Sequence, residues 1–242
     1  MTLRVLLLVR GDAYRSYRGE SVGHDVVEQN EAILTMRTFL VEPLIKRGYH
    51  VDVIVDCNCI ASLHDMFKET LSSAFQGLTL KMNVQTPETR LPTQHESIAD
   101  MLQRNQSSIE TYSFTVVARV DFHYDASPYP DRRFSNNKIL ALHLHIWGKG
   151  LQANDTFWVC PQQLQQAFTG FFTDSKNMGR MLHMPKTLPM EYTTPIKYDT
   201  SHLWFNPFYH YVGRTRVSRK EDVKGERVRG HIQYKGFTEA VE

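Results

Sequence analysis

The stretch "LRVLLLVR", residues 3 to 10, constrains the fold of this chain more than any other. From Leu3 to Val9 every position but Arg4 is apolar. A strand with one wet face alternates apolar and polar residues. A continuous apolar run belongs to a strand covered on both faces, as in the sheets of α/β proteins. A polar loop rich in Gly and Arg follows, and then "DVVEQNEAILTMRTFLVEPLIKRGY". Its apolar residues Val26, Ala32, Ile33, Met36, Phe39, Leu40 and Leu44 recur at helical spacing. Asp25 is expected to cap that helix, Gly48 to end it and Pro43 to kink it. "VDVIVD" is a second buried strand that ends at Asp56.

The alternation continues. "SLHDMFKETLSSAF" is a helix with Ser62 as its expected cap, "LTLKMNVQ" a short strand and "PTQHESIADMLQRNQ" a third helix. "SFTVVARVD", "KILALHLHIW" and "DTFWVCP" are strands, with Pro161 opening the helix "QQLQQAFTGFF". Alternating strands and helices predict an α/β fold, with a mostly parallel central sheet and helices on both faces. The last third is irregular, aromatic and basic.

Composition narrows the function classes. The net charge of +2 gives no global argument for nucleic acid or a membrane surface. No stretch approaches a membrane span, and the N-terminal apolar run lacks a cleavage site. The 3 cysteines are odd in number, and Cys57 and Cys59 sit too close for an easy disulfide. This is the usage of a reducing compartment, and a cytoplasmic location is expected.

In open α/β sheets, ligands bind outside the carboxyl ends of the strands. The first strand delivers Arg10, Gly11, Asp12 and Arg15 there, and the second Asp56. The strand "SFTVVARVD" delivers Arg119, Asp121, His123 and Asp125, and the strand ending near Trp147 brings Gly148 and Lys149. Neither the dinucleotide fingerprint nor the Walker loop is present, so a phosphorylated ligand would need cations. Asp121 and His123, two apart in an extended segment, point the same way. A carboxylate and a neutral imidazole can then grip one divalent ion of the Mn²⁺ type. The alternative is that Asp121 and Asp125 only cap the turn before "SPYP".

An Asp-containing metal motif after a middle strand, with an Asp ending the second strand, resembles the nucleotide-sugar glycosyltransferases of the GT-A fold. "DFH" at residues 121 to 123 matches the Asp-x-His variant of their Asp-x-Asp motif. "LLLVRGDAYR", "PLIKRGYHVDVIVD", "VVARVDFHYD" and "DTFWVCP", in that order, are similar to glycosyltransferase-like proteins of large algal DNA viruses that build capsid glycans. The resemblance covers the first two-thirds of the chain. It implies one glycosyltransferase-like domain over residues 1–242, with 1–125 as the nucleotide-sugar half and 126–242 as the acceptor side and tail.

The resemblance implies a Mn²⁺ or Mg²⁺ cofactor and a nucleotide-sugar donor of the UDP type. Its partners would be that donor and a glycan acceptor, without nucleic acid. Arg10, Gly11, Asp12, Asp56 and Arg119 would border the nucleotide, with Asp56 on base or ribose. Asp121 and His123 would bind the metal and diphosphate, with Asp125 as a rival second ligand. A third ligand would come from a late histidine, His183, His202 or His210. Inverting transfer also needs a general base, for which Asp155 is the candidate, flanked by Phe157 and Trp158 as a wall of the acceptor pocket. The alternative for Asp155 is a turn cap. "HLWFNPFYHY", residues 202 to 211, is either an acceptor platform or core. His143 and His145 share one strand face, as a metal pair or as a polar-faced or hydrogen-bonded strand. The basic tail from Arg214 to Lys235 is either a solvated face or a lid over the diphosphate. Two other function classes stay open: a non-catalytic module binding carbohydrate or nucleotide, and a methyltransferase, against which the missing Gly-rich first loop counts.

Overall fold

The computed structural model describes residues 3–13, 26–86, 94–124, 126–146, 150–174, 187–192, 209–211, 227–228, 231–234 and 237–240. The first buried run is strand β1 (Arg4–Asp12), followed by helices α1 (Val26–Met36) and α2 (Glu42–Lys46). Then come β2 (His50–Asn58), α3 (His64–Ala74), β3 (Thr79–Gln85), α4 (Gln94–Arg104) and α5 (Gln106–Ile109). Next are β4 (Phe114–Arg119), β5 (Phe122–Tyr124), β6 (Ile139–Ile146), β7 (Gly150–Pro161), α6 (Gln165–Thr173), β8 (Met190–Tyr192) and β9 (Tyr209–Tyr211). Three short strands, β10 (Arg227–Val228), β11 (His231–Tyr234) and β12 (Phe237–Ala240), form a small antiparallel sheet of their own.

Among the described residues, seven strands make the central sheet, in the order β3-β2-β1-β4-β7-β6-β8. All run the same way except β7, which is antiparallel to both its neighbours. The mostly parallel α/β sheet expected from the apolar runs is therefore present. The chain begins in mid-sheet and steps outward from β1 to β2 to β3. It then returns through α4 and α5 to lay β4 on the other side of β1. This reversal is a topological switch point, and open α/β sheets bind ligands at such a point, outside the carboxyl ends of their strands.

Strand alternation sorts the core into two layers. Val5, Leu7 and Val9 face one side, where Ile33, Met36, Leu40 and Leu44 of the first helical segment and Phe67 and Leu71 of α3 cover them. Leu6 and Leu8 face the other side, under Ile98, Met101 and Leu102 of α4 and Phe168, Phe171 and Phe172 of α6. Each central strand is thus buried on both faces, which is why its sequence is mostly apolar on both.

Three helix boundaries take their detail from the structure. Where a kink is expected, the first helical segment runs on without a gap through Pro43. A π turn, Arg37–Val41, sits just before it, and the N–H of Glu42 donates to the carbonyl of Arg37. Pro43 offers no N–H to the preceding turn, and the widened turn takes up that mismatch. Ser62 is not a cap, because it lies inside a short 3-10 turn, Ala61–Leu63, and α3 starts at His64. Pro161 ends β7, and another 3-10 turn, Gln162–Leu164, precedes α6. The three cysteines are buried and free. Asp25, Arg15, Asp125, Trp147, Gly148, Lys149, His183 and His202 lie outside the described residues, as do most of the 202–211 segment and most of the basic tail.

Candidate functional site

Register brings the expected residues to the switch point. Arg10 of β1 pairs with Asp56 of β2 on one side and with Arg119 of β4 on the other. In-register residues of parallel strands project from the same face, so these three side chains stand in a row on the side covered by α4 and α6. All three residues are buried. The guanidinium of Arg10 lies 5.6 Å from the centre of the Trp158 ring, and that of Arg119 lies 5.0 Å from the centre of the Phe122 ring. Aromatic faces stabilise two cations that burial would otherwise penalise.

Asp121 follows in the turn after β4. Arg119 grips its carboxylate as a fork, Nε donating to Oδ1 at 2.8 Å and Nη2 donating to Oδ2. Burial alone would push the Asp121 carboxyl up. The charges of Arg119 and Arg10 and the Arg119 hydrogen bonds outweigh it and hold Asp121 below the usual carboxylate range. Gly11 stands beside it with φ of 118°, and a Cβ there would lie 3.7 Å from Asp121 Oδ1. That backbone conformation suits glycine alone, so Gly11 fixes how β1 ends against Asp121. From Val120 to Tyr124, buried and half-buried residues alternate, which puts Asp121 and His123 together on the less buried side. The backbone of β5 pairs with β9 so that His123 falls directly opposite His210.

Asp12 Oδ1 accepts a hydrogen bond from Asn58 Nδ2 at 2.9 Å, which ties the ends of β1 and β2 together. The buried thiol of Cys57 reports the convergence of these groups. Burial raises its pKa, the carboxylates of Asp56, Asp12 and Asp121 raise it further, and Arg10 opposes them.

Asp56 is fully engaged from below. Arg104 Nη2 donates to its Oδ1 at 2.7 Å and Arg104 Nε to its Oδ2 at 3.3 Å, while Asn105 Nδ2 donates to Oδ2 at 2.9 Å. The Asp56 side chain is only 3% exposed, whereas that of Arg104 is 43% exposed. What this corner presents to the outside is the guanidinium that Asp56 holds.

Asp155 lies inside β7. The last β4–β7 pair is Ala118 with Phe157, so Asp155 sits two residues further along, beyond the paired end of β4. The β6–β7 register also shifts here, between Ala141 and His143. The Asp155 backbone is thus irregular and belongs to the rim of the switch point. Phe157 and Trp158 do not form an open wall beside it. Both are fully buried, in opposite core layers, because consecutive strand residues face opposite ways.

Three residues escaped the sequence analysis. Arg104 ends α4 and Asn105 follows it, and in the sequence the two read as an ordinary basic helix terminus. Gln29 lies on the buried face of α1, and its Nε2 donates to the Val120 carbonyl at 2.6 Å, anchoring the turn that carries Asp121. A polar residue four before Ile33, on the apolar stripe, was the available signal.

A carboxylate and an imidazole on one side of the rim are donor types that a divalent cation accepts, and the Arg119 fork holds both oxygens of that carboxylate. Asp121 is ionised, a carboxylate oxygen can accept twice, and His123 supplies an imidazole on the same side. Among the described residues, no group of three or more His, Cys, Asp or Glu is placed to hold a metal. Other positions on an ion would fall to a ligand's oxygens or to water.

No family model matches the chain, and no curated protein matches it either. Three solved structures similar to it are glycosyltransferases. One is the bifunctional glycosyltransferase WbbM, with TM-score 0.46 and 12% identity over 81% of this chain and 39% of that one. A second is a glycosyltransferase involved in glycosylation of the major capsid of PBCV-1, with TM-score 0.41 and 8% identity over 78% of this chain and 82% of that one. The third is GlyE of Streptococcus pneumoniae TIGR4, with TM-score 0.42 and 12% identity over 79% of this chain and 45% of that one. The chain spans less than half the length of the first and third. Among the described residues, no helix is long and apolar enough to cross a membrane.

Proposed function

We propose that this chain is a metal-dependent glycosyltransferase that moves a sugar from a nucleotide sugar of the UDP type to a hydroxyl of a glycan. The observation that carries the reading is the row Arg10, Asp56 and Arg119 across three adjacent parallel strands, with Asp121 and Gly11 meeting at the switch point. The buried guanidiniums of Arg10 and Arg119 lend positive potential to this rim, which favours a diphosphate there. Asp121 and His123 would hold Mn²⁺ or Mg²⁺, which when bound neutralises charge on the leaving diphosphate. Gly11 and Asp12 border the nucleotide, and Asp56 aims Arg104 toward base or ribose. Asp155 takes the proton of the acceptor hydroxyl as its oxygen bonds to the anomeric carbon and the bond to the diphosphate breaks. In that inverting geometry, the diphosphate leaves from the opposite face.

One feature favours a second reading, a module that binds nucleotide or carbohydrate without turnover. The Arg119 fork already occupies both oxygens of Asp121. A donor panel separates the two readings. Nucleoside diphosphate release is measured over a set of nucleotide sugars, with Mn²⁺ and with a chelator, beside thermal shift with UDP. Release of UDP that needs Mn²⁺ is expected. Stabilisation by UDP without release from any donor would leave the binding module, and no response to any nucleotide would overturn both readings.

A further inference from the structure

At the end of the sheet opposite the switch point lies an open cavity of about 520 Å³. It is lined by Leu3, where β1 begins, by Gly48 and Tyr49, just before β2, and by the arginine-rich segment ahead of β6. β1 has 9 residues, so about 30 Å separates this cavity from the Asp12 rim. The volume is that of a small-molecule site.

Its charges are unevenly satisfied. Arg132 is paired with Glu191 at 2.8 Å. Arg47 stands over the Tyr129 ring, 5.8 Å from its centre, and makes no ion pair among the described residues. Arg133 and Asp131 are exposed and likewise make none among the described residues. Two uncompensated guanidiniums on one cavity match a doubly charged oxyanion. The carboxylate of Asp131 accepts hydrogen bonds from hydroxyls and repels a bare anion. Tyr49 is held rigid, stacked on Phe134 at 5.7 Å and 20° and edge-on to Phe114 at 6.2 Å. With Leu3 it forms an apolar wall of the kind that takes the C–H face of a sugar ring.

We propose that this cavity binds a phosphorylated sugar, its phosphoryl group on Arg47 and Arg133 and its hydroxyls on Asp131. The site is independent of the transfer reaction, and its test reads binding alone. The full chain is titrated calorimetrically at low salt with glucose 6-phosphate, glucose and inorganic phosphate. The same is done for Arg133→Gln, for the double variant Arg47→Gln with Arg133→Gln, and for Asp121→Asn, with melting curves confirming that each is folded. Glucose 6-phosphate is expected to bind saturably, and glucose and phosphate at least about tenfold more weakly. Arg133→Gln should weaken the sugar phosphate, the double variant should weaken it by about tenfold or more, and Asp121→Asn should leave it unchanged. Absence of saturable binding to the parent, or equal binding by the double variant, would overturn the site. Phosphate binding as tightly as the sugar phosphate would overturn the sugar subsite, and loss in Asp121→Asn would move the ligand to the switch point.

Discussion

Asp121 sets a buried negative charge beside two cations, Arg119 and Arg10. Arg119 and Arg10 hold it ionised in spite of burial. Asp121→Asn keeps the shape and removes the charge. It is expected to weaken Mn²⁺-dependent UDP binding by about tenfold or more while the melting curve stays cooperative. Unchanged UDP affinity with unchanged Mn²⁺ dependence would remove Asp121 from the metal. Gly11 is the complementary case, where the backbone rather than a side chain matters. At φ of 118°, an added Cβ is strained whatever the space around it. Gly11→Ala should cost about 1–3 kcal/mol in urea unfolding and should displace Asp121, so that UDP binding falls with stability. A stable variant with parental UDP affinity would show that the turn tolerates other conformations.

At the scale of elements, two polar clamps tie neighbouring pieces at opposite ends of the sheet. Asp56 joins β2 to the end of α4 through Arg104 and Asn105. Asp56→Ala removes the acceptor of both and leaves the buried Asn105 amide short of a partner. Because Arg104 is 43% exposed, solvent screens part of the loss, and a cost of about 2 kcal/mol is expected in urea unfolding. Arg104→Gln should cost less stability than Asp56→Ala and weaken UDP more, if the guanidinium is what meets the nucleotide. At the other end, Asp52 of β2 accepts from Arg4 at 2.9 Å and from Tyr112 at 3.0 Å, with His50 at 3.2 Å. Burial pushes the Asp52 carboxyl up. The hydrogen bonds from Arg4, Thr79 and Tyr112, with the charge of His50, outweigh it and set it below the usual range. A depressed carboxyl stabilises the fold above its unfolded value and loses that contribution as pH falls through the folded one. Asp52→Asn should therefore flatten the fall in melting temperature below about pH 4, with the parent the steeper of the two.

At the scale of the molecule, the switch between β1 and β4 puts the row Arg10, Asp56 and Arg119 and the backbone of the proposed base at one rim although they are far apart in sequence. Asp155 is nearly 150 residues from Arg10, and only the antiparallel pairing of β7 with β4 brings its backbone there. Asp155→Asn is expected to leave UDP binding intact and to slow transfer by roughly a hundredfold or more, measured with saturating donor and acceptor. Near-parental transfer would exclude Asp155 as base. A product that retains the donor configuration by NMR would remove the need for one.

The sequence by itself determined the central strands and the residues they deliver. "LRVLLLV", "VDVIVD" and "SFTVVARVD" are mostly apolar at odd and even positions alike because each is covered on both faces, and that pattern survives any arrangement of the helices. Arg10, Asp56 and Arg119 were legible as strand ends for the same reason. Only the tertiary structure decided which strand lies beside which, and so that Arg10 stands between Asp56 and Arg119. The capture of Asp56 by Arg104 and Asn105 spans 48 and 49 residues of sequence separation and has no local signal. The burial of Phe157 and Trp158 in opposite layers likewise depends on β7 crossing both cores. Periodicity records which residues are covered, and it carries no information about which distant group covers them.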